Sequence, residues 1–436
     1  MKARYQYRIY PKLTQIEPLA KAFGCSRVVW NDALWVYKNA LKNGKDRPKD
    51  VDKLVITQAK KTEARAWLSE VSNIVLQQSF RDLQTAWNNY FSSKNGKRSG
   101  KPVGKPKLKK KTSRQSMRFR KGGFSVHSCS VKLAKIGHVP MVVSRPLPSA
   151  PSSVTIIKDT TGRYFASFVV EVPTEIAPQT ENSCGIDLGL THFCILSSGE
   201  KVENPRLYKK MLRKIKKANR RLAQHAKRAS RASARSGRMP CAKKDSNRRK
   251  KRKLKLAKLH ARVKDARTDF LHKLTTRLVA ENQSLAIEDL MVAGLVKNRK
   301  LSRAISDAGW AKFKTMLAAK CDKYGRDLTI VDRWYPSSQI CSCCGNRWSD
   351  SPAEGSRRTP VRGGKKELNV REWSCLFCST THDRDINASR NLEQQIKKEA
   401  GGQSDSYNNE RGASVSLAVS AVCDEPLTAY EQLSLF

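Results

Sequence analysis

The 436-residue chain carries 86 Lys and Arg against 38 Asp and Glu, a formal net charge of +48. Such an excess repels itself unless a polyanion neutralises it, so nucleic acid is the expected partner. A hydrophobic content of 39% excludes a disordered basic tail, and the length suggests roughly three domains. No run approaches the roughly 18 apolar residues of a membrane span, and MKARYQYRIYPK has no apolar stretch behind it, so neither a membrane partner nor a secretory signal is expected. Twelve cysteines in such a chain predict metal or reduced thiols, not a disulfide framework.

The first 12 residues read as a strand, with Tyr5, Tyr7 and Ile9 alternating with Arg4, Gln6 and Arg8. Thr14 and Glu17 have capping-box spacing, so a helix is expected to start there. Two helical stripes follow: Val29, Ala33, Tyr37 and Leu41, then Leu76, Phe80, Leu83, Trp87 and Tyr90. Residues 92–114 hold ten basic residues and no acid, which reads as a flexible linker that also touches phosphate. The period then turns to two. SMRFRKGGFSV and a hairpin over 153–172, turning at Asp159–Gly162, would close a small barrel with the N-terminal strand, split by the helical insertion.

From Ser183 the short strands SCGIDLGL and HFCILSSG come in hairpin order, with KVENP as a third. Residues 209–262 contain 24 Lys and Arg and one acid, Asp245, and run into a long amphipathic helix through Leu256, Leu259, Val263, Phe270, Leu274 and Leu278. The strand SLAIEDL, a helix with Trp310, Phe313, Leu317 and Tyr324, and the strand DLTIVD follow. After the cysteine segment, Ala388, Leu392 and Ile396 mark a last helix. Three strands, helix, strand, helix, strand, insertion, helix is the order of an RNase H-like fold. Residues 401–436 are Ser- and Ala-rich and are expected to be disordered.

In such a sheet Asp187 of GIDLG and Glu288 of AIEDL end neighbouring strands, and HDRDINASRNL supplies a third acid at the start of the final helix. Three carboxylates suit hard divalent cations, Mg2+ or Mn2+, of the kind that hydrolyse phosphodiesters in pairs. Asp385, one turn before the helix stripe, takes the ligand role. Asp383 is expected to cap the helix or point outward, and Asp289 to face the other side of its strand. Cys341-x2-Cys344 and Cys375-x2-Cys378 form a four-thiolate set suited to structural Zn2+, with Cys343 and His382 as spare ligands. The intervening 30 residues make an enlarged, basic finger carrying Trp348 and Trp373.

These motifs, with YRIYP, FGCSRVVWNDAL, LQQSFRDL and YPSSQICSCCG, occur in order over residues 1–398 and closely resemble the TnpB family, transposon-encoded relatives of type V CRISPR effectors. The resemblance implies a multidomain α+β protein: a wedge-like β-barrel (1–12 and 113–178) and a helical recognition insertion with its basic linker (13–112). It further implies a RuvC nuclease domain (179–334 and 382–400) and a zinc-bearing target-strand module (335–381). It implies an RNA-guided DNA endonuclease that uses a transposon-end guide RNA and cuts beside a short flanking motif. Its catalytic acids map onto Asp187, Glu288 and Asp385, and its zinc thiolates onto Cys341, Cys344, Cys375 and Cys378. Guide RNA and double- and single-stranded DNA are the expected partners, with one protein per guide, in a prokaryotic cytoplasm. A compact type V effector and a nuclease-inactive guided repressor are the alternatives. The basic segments 92–114 and 209–262 are candidates for guide and heteroduplex contacts; Arg118, Arg120, Trp30 and Tyr37 are candidates near the flanking motif.

Overall fold

A computed structural model describes residues 1–98, 100, 102–173, 176–235, 246–347 and 371–400. The tail at 401–436 and most of the enlarged finger, Trp348 included, lie outside the described residues. Two compact units divide the chain at Val172/Pro173.

The first unit is built on strand β1 (Lys2–Ile9), whose alternation is realised: Tyr5, Tyr7 and Ile9 are buried. It pairs antiparallel with β7 (Tyr164–Glu171) along its whole length and with β5 (Gly137–Val142) at its end. Together with β2 (Gln115–Arg120), β3 (Phe124–His127), β4 (Ser130–Leu133) and β6 (Ser153–Lys158), they form an antiparallel sheet in the order β2-β6-β7-β1-β5-β4-β3. The expected barrel does not close by strand pairing. Its end strands β2 and β3 share no ladder, and the sheet remains a half-barrel. Helices complete the core instead. Leu19, Val29 and Ala33 of α1 (Leu13–Lys42) and Leu76, Phe80, Leu83 and Trp87 of α3 (Asn73–Lys94) join Phe119 and Phe168 of the sheet in one cluster. Between them lie helical turns at 53–58 and 63–70 and the three-residue α2 (Ala59–Lys61).

The start of α1 differs from the expected Thr14/Glu17 box. The cap sits two residues earlier, at Lys12, and buried Gln15 accepts the Lys12 N–H at 3.1 Å while its own amide donates to the His138 carbonyl of β5 at 2.7 Å. The tertiary acceptor, which local spacing cannot reveal, decides the cap. Nor does the linker hang free throughout. Asn31 brackets Lys109 with two backbone hydrogen bonds, Trp30 Nε1 donates to the Lys107 carbonyl, and the Lys109 ammonium sits 3.9 Å over the Trp30 ring. Trp30 is thus covered, Tyr37 is buried, and Arg118 is paired with Asp82; of the four flanking-motif candidates, Arg120 alone is exposed.

The second unit holds a five-stranded sheet in the order β10-β9-β8-β11-β12. β8 (Ser183–Leu188), β9 (His192–Leu196) and β10 (Lys201–Glu203) form an antiparallel meander. β11 (Ser284–Glu288) runs parallel to β8, and β12 (Asp327–Val331) parallel to β11. The expected long helix through Leu256 and Leu278 is α5 (Asn247–Glu281), and the basic run before it holds a second helix, α4 (Leu207–Arg235); the two pack around Ile215, Leu256 and Val263. Asp307 fixes the start of α4 by accepting the Tyr208 and Lys209 N–H groups and pairing with Arg267. One face of the sheet packs on α5, α7 (Ser302–Ala308) and α8 (Trp310–Tyr324) through Ile186, Phe193, Ile287, Leu274, Phe313 and Leu317. The short α6 (Val292–Leu295) lies between β11 and α7. The other face packs on α9 (Arg384–Ala400) through Ala286, Val331 and Leu392. No described helix is long and apolar enough to cross a membrane.

Candidate functional site

Strand alternation decides which side chains reach α9. In β8, Cys184 and Ile186 enter the α5/α8 core, so Ser183, Gly185 and Asp187 face the opposite way. Ser183 Oγ donates to Glu393 of α9. A Cβ built on Gly185 would lie 1.9 Å from the Ser389 carbonyl oxygen and 2.6 Å from the Glu393 nitrogen, so α9 crosses the strand at backbone contact. β8 and β11 are in register at Ile186 and Ile287, which puts Asp187 and Glu288 side by side on the α9 face. Asp385, in the first turn of α9, completes the group.

The electrostatics agree with that convergence. Burial, then the charges of Asp385 and Glu288, push the Asp187 carboxyl up to about 7, against the lowering pull of Arg384. Like charges this close repel unless a proton or cation is shared, and an all-oxygen donor set fits a hard divalent cation. Asp385 Oδ2 receives a 2.6 Å hydrogen bond from Arg371, just before β13 (Glu372–Ser374).

The neighbouring acids do other work. Asp383, at the end of β14 (Thr381–Asp383), accepts the Asp385 and Ile386 N–H groups as a helix cap and pairs with Lys201. Burial pulls its carboxyl upward, but Lys201 and the two backbone donors outweigh it and hold the group below the usual range. Asp289 points away from α9 into ion pairs with Lys314 and Arg333, each at 2.6 Å.

The Sγ atoms of Cys341, Cys344, Cys375 and Cys378 all lie within 4.8 Å of one another. Cys341–Cys378 and Cys344–Cys375 are each 3.6 Å apart, near the roughly 3.8 Å edge of a tetrahedron with Zn–S bonds of about 2.3 Å. The set therefore fits zinc. Of the spare ligands, Cys343 is exposed, and His382 Nε2 sits 3.0 Å from Cys341 Sγ, beside the four. Trp373, expected on the basic finger, is buried against His382 with ring centroids 4.8 Å apart, so it belongs to the small core of the cysteine cluster.

Sequence reasoning passed over the asparagines of NASRNL. Asn387 donates to the Ile340 carbonyl at 2.7 Å and accepts the Ser342 N–H at 2.8 Å. Asn391 donates to the Ser337 and Ile340 carbonyls. Both are buried, and together they clamp the first CxxC loop onto the helix that carries Asp385. Two polar residues four apart, on the helix stripe beside Ala388 and Leu392, were the available signal. Replacing Asn391 with Leu should lower stability by about 1–3 kcal/mol, because the Ser337 carbonyl loses its side-chain donor while the Ile340 carbonyl keeps Asn387. Thermal unfolding of the zinc-loaded protein measures it.

The OrfB_IS605 model, "Probable transposase", matches residues 167–299. A Cas12f1-like TNB domain matches 310–392, spanning the cysteine cluster, and a helix-turn-helix domain matches 1–46. Residues 1–46 here form β1 and the single helix α1. A Streptomyces pristinaespiralis protein named "Putative RNA-guided DNA endonuclease" is 42% identical over 397 residues, covering 90% of this chain and 89% of its own. "Putative RNA-guided DNA endonuclease InsQ" of Escherichia coli is 24% identical over 408 residues, covering 89% and 90%. The chain belongs to this family of RNA-guided DNA endonucleases and TnpB-like proteins. A solved Cas12f1–sgRNA–target DNA complex is similar at a TM-score of 0.31 and 13% identity, covering 91% of this chain and 100% of that one, too low to carry the fold argument.

Proposed function

We propose that this protein is an RNA-guided, divalent-metal-dependent DNA endonuclease of the RuvC type, with Asp187, Glu288 and Asp385 as its catalytic acids. The observation that carries the reading is the convergence of the three carboxylates on the α9 face, with Asp187 pushed up to about 7 by burial and by the other two. The strand order and the flanking helices support an RNase H-like frame for the acids.

Bound Mg2+ or Mn2+ would supply a water acidified near neutral pH and charge to stabilise the leaving oxygen. Asp187, Glu288 and Asp385 would hold that cation against one sheet face, and Asp383 and the Asn387/Asn391 clamp keep Asp385 at the helix start. Hydrolysis would join a water oxygen to phosphorus as the bond to the 3′-oxygen breaks, with the water's proton ending on that oxygen, to leave a 3′-hydroxyl and a 5′-phosphate. Zn2+ on Cys341, Cys344, Cys375 and Cys378 is structural. The basic helices α4 and α5 are candidate contacts to the phosphates of the guide–target heteroduplex, and the linker at 92–114 is a separate candidate for guide contacts. The guide derives from the transposon end, and a short duplex motif beside the target is read by the protein.

The test is plasmid cleavage. The protein is expressed with its native downstream DNA, purified with its RNA, and given Mg2+ and targets with randomised flanks. Guide-dependent cuts absent in Glu288→Ala are expected, and sequencing the ends names the motif. Guided binding without cuts would replace this reading with that of a repressor.

Two further results are expected. Because the folded Asp187 carboxyl is raised, it competes for a proton with the cation below pH 7. Mn2+ affinity should fall about tenfold per pH unit below 7 and level off above it, as titration calorimetry would measure. The apoprotein should show the opposite sign, gaining stability as pH falls from about 7 toward the ordinary Asp value and losing it as pH rises. A flat Mn2+ affinity between pH 5.5 and 7.5 would contradict this. Purified protein should also carry one zinc per chain, and Cys375→Ser should release it and lower the melting temperature, read by elemental analysis and calorimetry.

A further inference from the structure

Trp334 is 77% exposed, although it follows directly on the strand that borders the candidate acids. Solitary exposed apolar side chains are common and by themselves mean little. This one differs in how firmly its backbone is held. Asp332 Oδ1 accepts the Trp334 N–H at 2.7 Å, and the Asp332 carbonyl accepts the Tyr335 N–H at 3.1 Å, closing a turn with Trp334 inside it. Arg333 is tied to Asp289 at 2.6 Å, and Asp289 is held in turn by Lys314 of α8. The charged neighbours are therefore paired, and what the turn offers solvent is an apolar plane on a fixed base.

Its place in the sheet says what could use that plane. Val331 is the register partner of Glu288 on the adjacent parallel strand, and the Asp289 N–H donates to the Val331 carbonyl. Trp334 comes three residues later, so no more than about 10 Å of chain separates it from the Glu288-bearing end of the sheet. An occupant there would lie within about three nucleotides of a phosphate held at that end of the sheet. In an enzyme that cuts a strand, that occupant carries a flat aromatic base, and indole–base stacking tolerates any sequence.

We infer that Trp334 is a stacking platform for a base of single-stranded DNA a few nucleotides from the scissile phosphate, a positioning residue for the strand being cut. This rests on the endonuclease reading, so the binding test is made separable from cleavage. The probe is a single-stranded oligothymidylate containing one 2-aminopurine, whose fluorescence falls when it stacks. It is titrated into the guide-loaded protein in the Glu288→Ala background, where no strand is cut. The fluorescence should fall on binding. Adding Trp334→Ala should remove the fall and weaken binding about 5- to 150-fold, as the loss of one stacked base does. Trp334→Phe should restore most of both. In the otherwise wild-type enzyme, Trp334→Ala should raise KM for single-stranded substrate more than it lowers kcat, with unchanged zinc content and melting temperature because the indole supports no core. Unaltered binding and quenching in Trp334→Ala would overturn the inference. Quenching that depends on Trp334 in a protein that never cuts would keep the platform and sink the nuclease.

Discussion

Asp385→Ala should abolish guided cleavage, by about 10³-fold or more, some 4 kcal/mol of barrier, while Asp383→Ala should leave a rate within about tenfold of wild type. The two acids are two residues apart and differ in what their oxygens do. Asp385 lies in the first turn of α9, on the side where its charge reaches Asp187. Asp383 spends one oxygen on two helix N–H groups and the other on Lys201. Its loss costs a cap, typically about 1 kcal/mol of stability, and loosens the start of α9 without removing a cation ligand. Single-turnover cleavage at saturating Mg2+, with melting curves for both variants, separates the effects. Equal loss of rate in two folded variants would refute the assignment.

The second large effect is expected at Gly185. Alanine there would put a methyl group 1.9 Å from the Ser389 carbonyl oxygen and 2.6 Å from the Glu393 nitrogen, both backbone atoms of α9. A helix backbone cannot rotate out of the way as a side chain can, so α9 must lift from β8. Gly185→Ala should therefore cost about 3 kcal/mol or more and displace Asp385 from Asp187 and Glu288. Cleavage should vanish even where the variant still folds, and the raised Asp187 carboxyl should return toward its ordinary value, visible by carbon-detected NMR titration. Full activity in Gly185→Ala would mean that the close crossing of α9 is not what assembles the site.

The amino-acid sequence determined a good deal by itself. Alternation in RYQYRIY and YFASFVV marked β1 and β7, and the four- and three-residue spacings of Leu76, Phe80, Leu83 and Trp87 marked the buried stripe of α3, because period follows directly from backbone geometry. Two CxxC pairs named the four thiols that the structure brings within 4.8 Å. The positions of Asp187 and Glu288 at matched strand ends were legible for the same reason: adjacent parallel strands keep register.

Other features depended on partners far away in the chain. The cap of α1 is set by the His138 carbonyl, the half-barrel stops short of closing although its strands were readable, and α4 and α5 of the basic run pack on each other around Ile215, Leu256 and Val263. Local sequence carries no record of an acceptor 123 residues distant. The same holds at the site. GIDLG reads as a strand end with a glycine, but that Gly185 is the place where α9 touches the sheet backbone, and that Asn387 and Asn391 lock the cysteine loop to that helix, are decided by packing alone. Sequence fixes the period and chemistry of each element; only the folded chain fixes which backbone atoms lie close enough to exclude a methyl group.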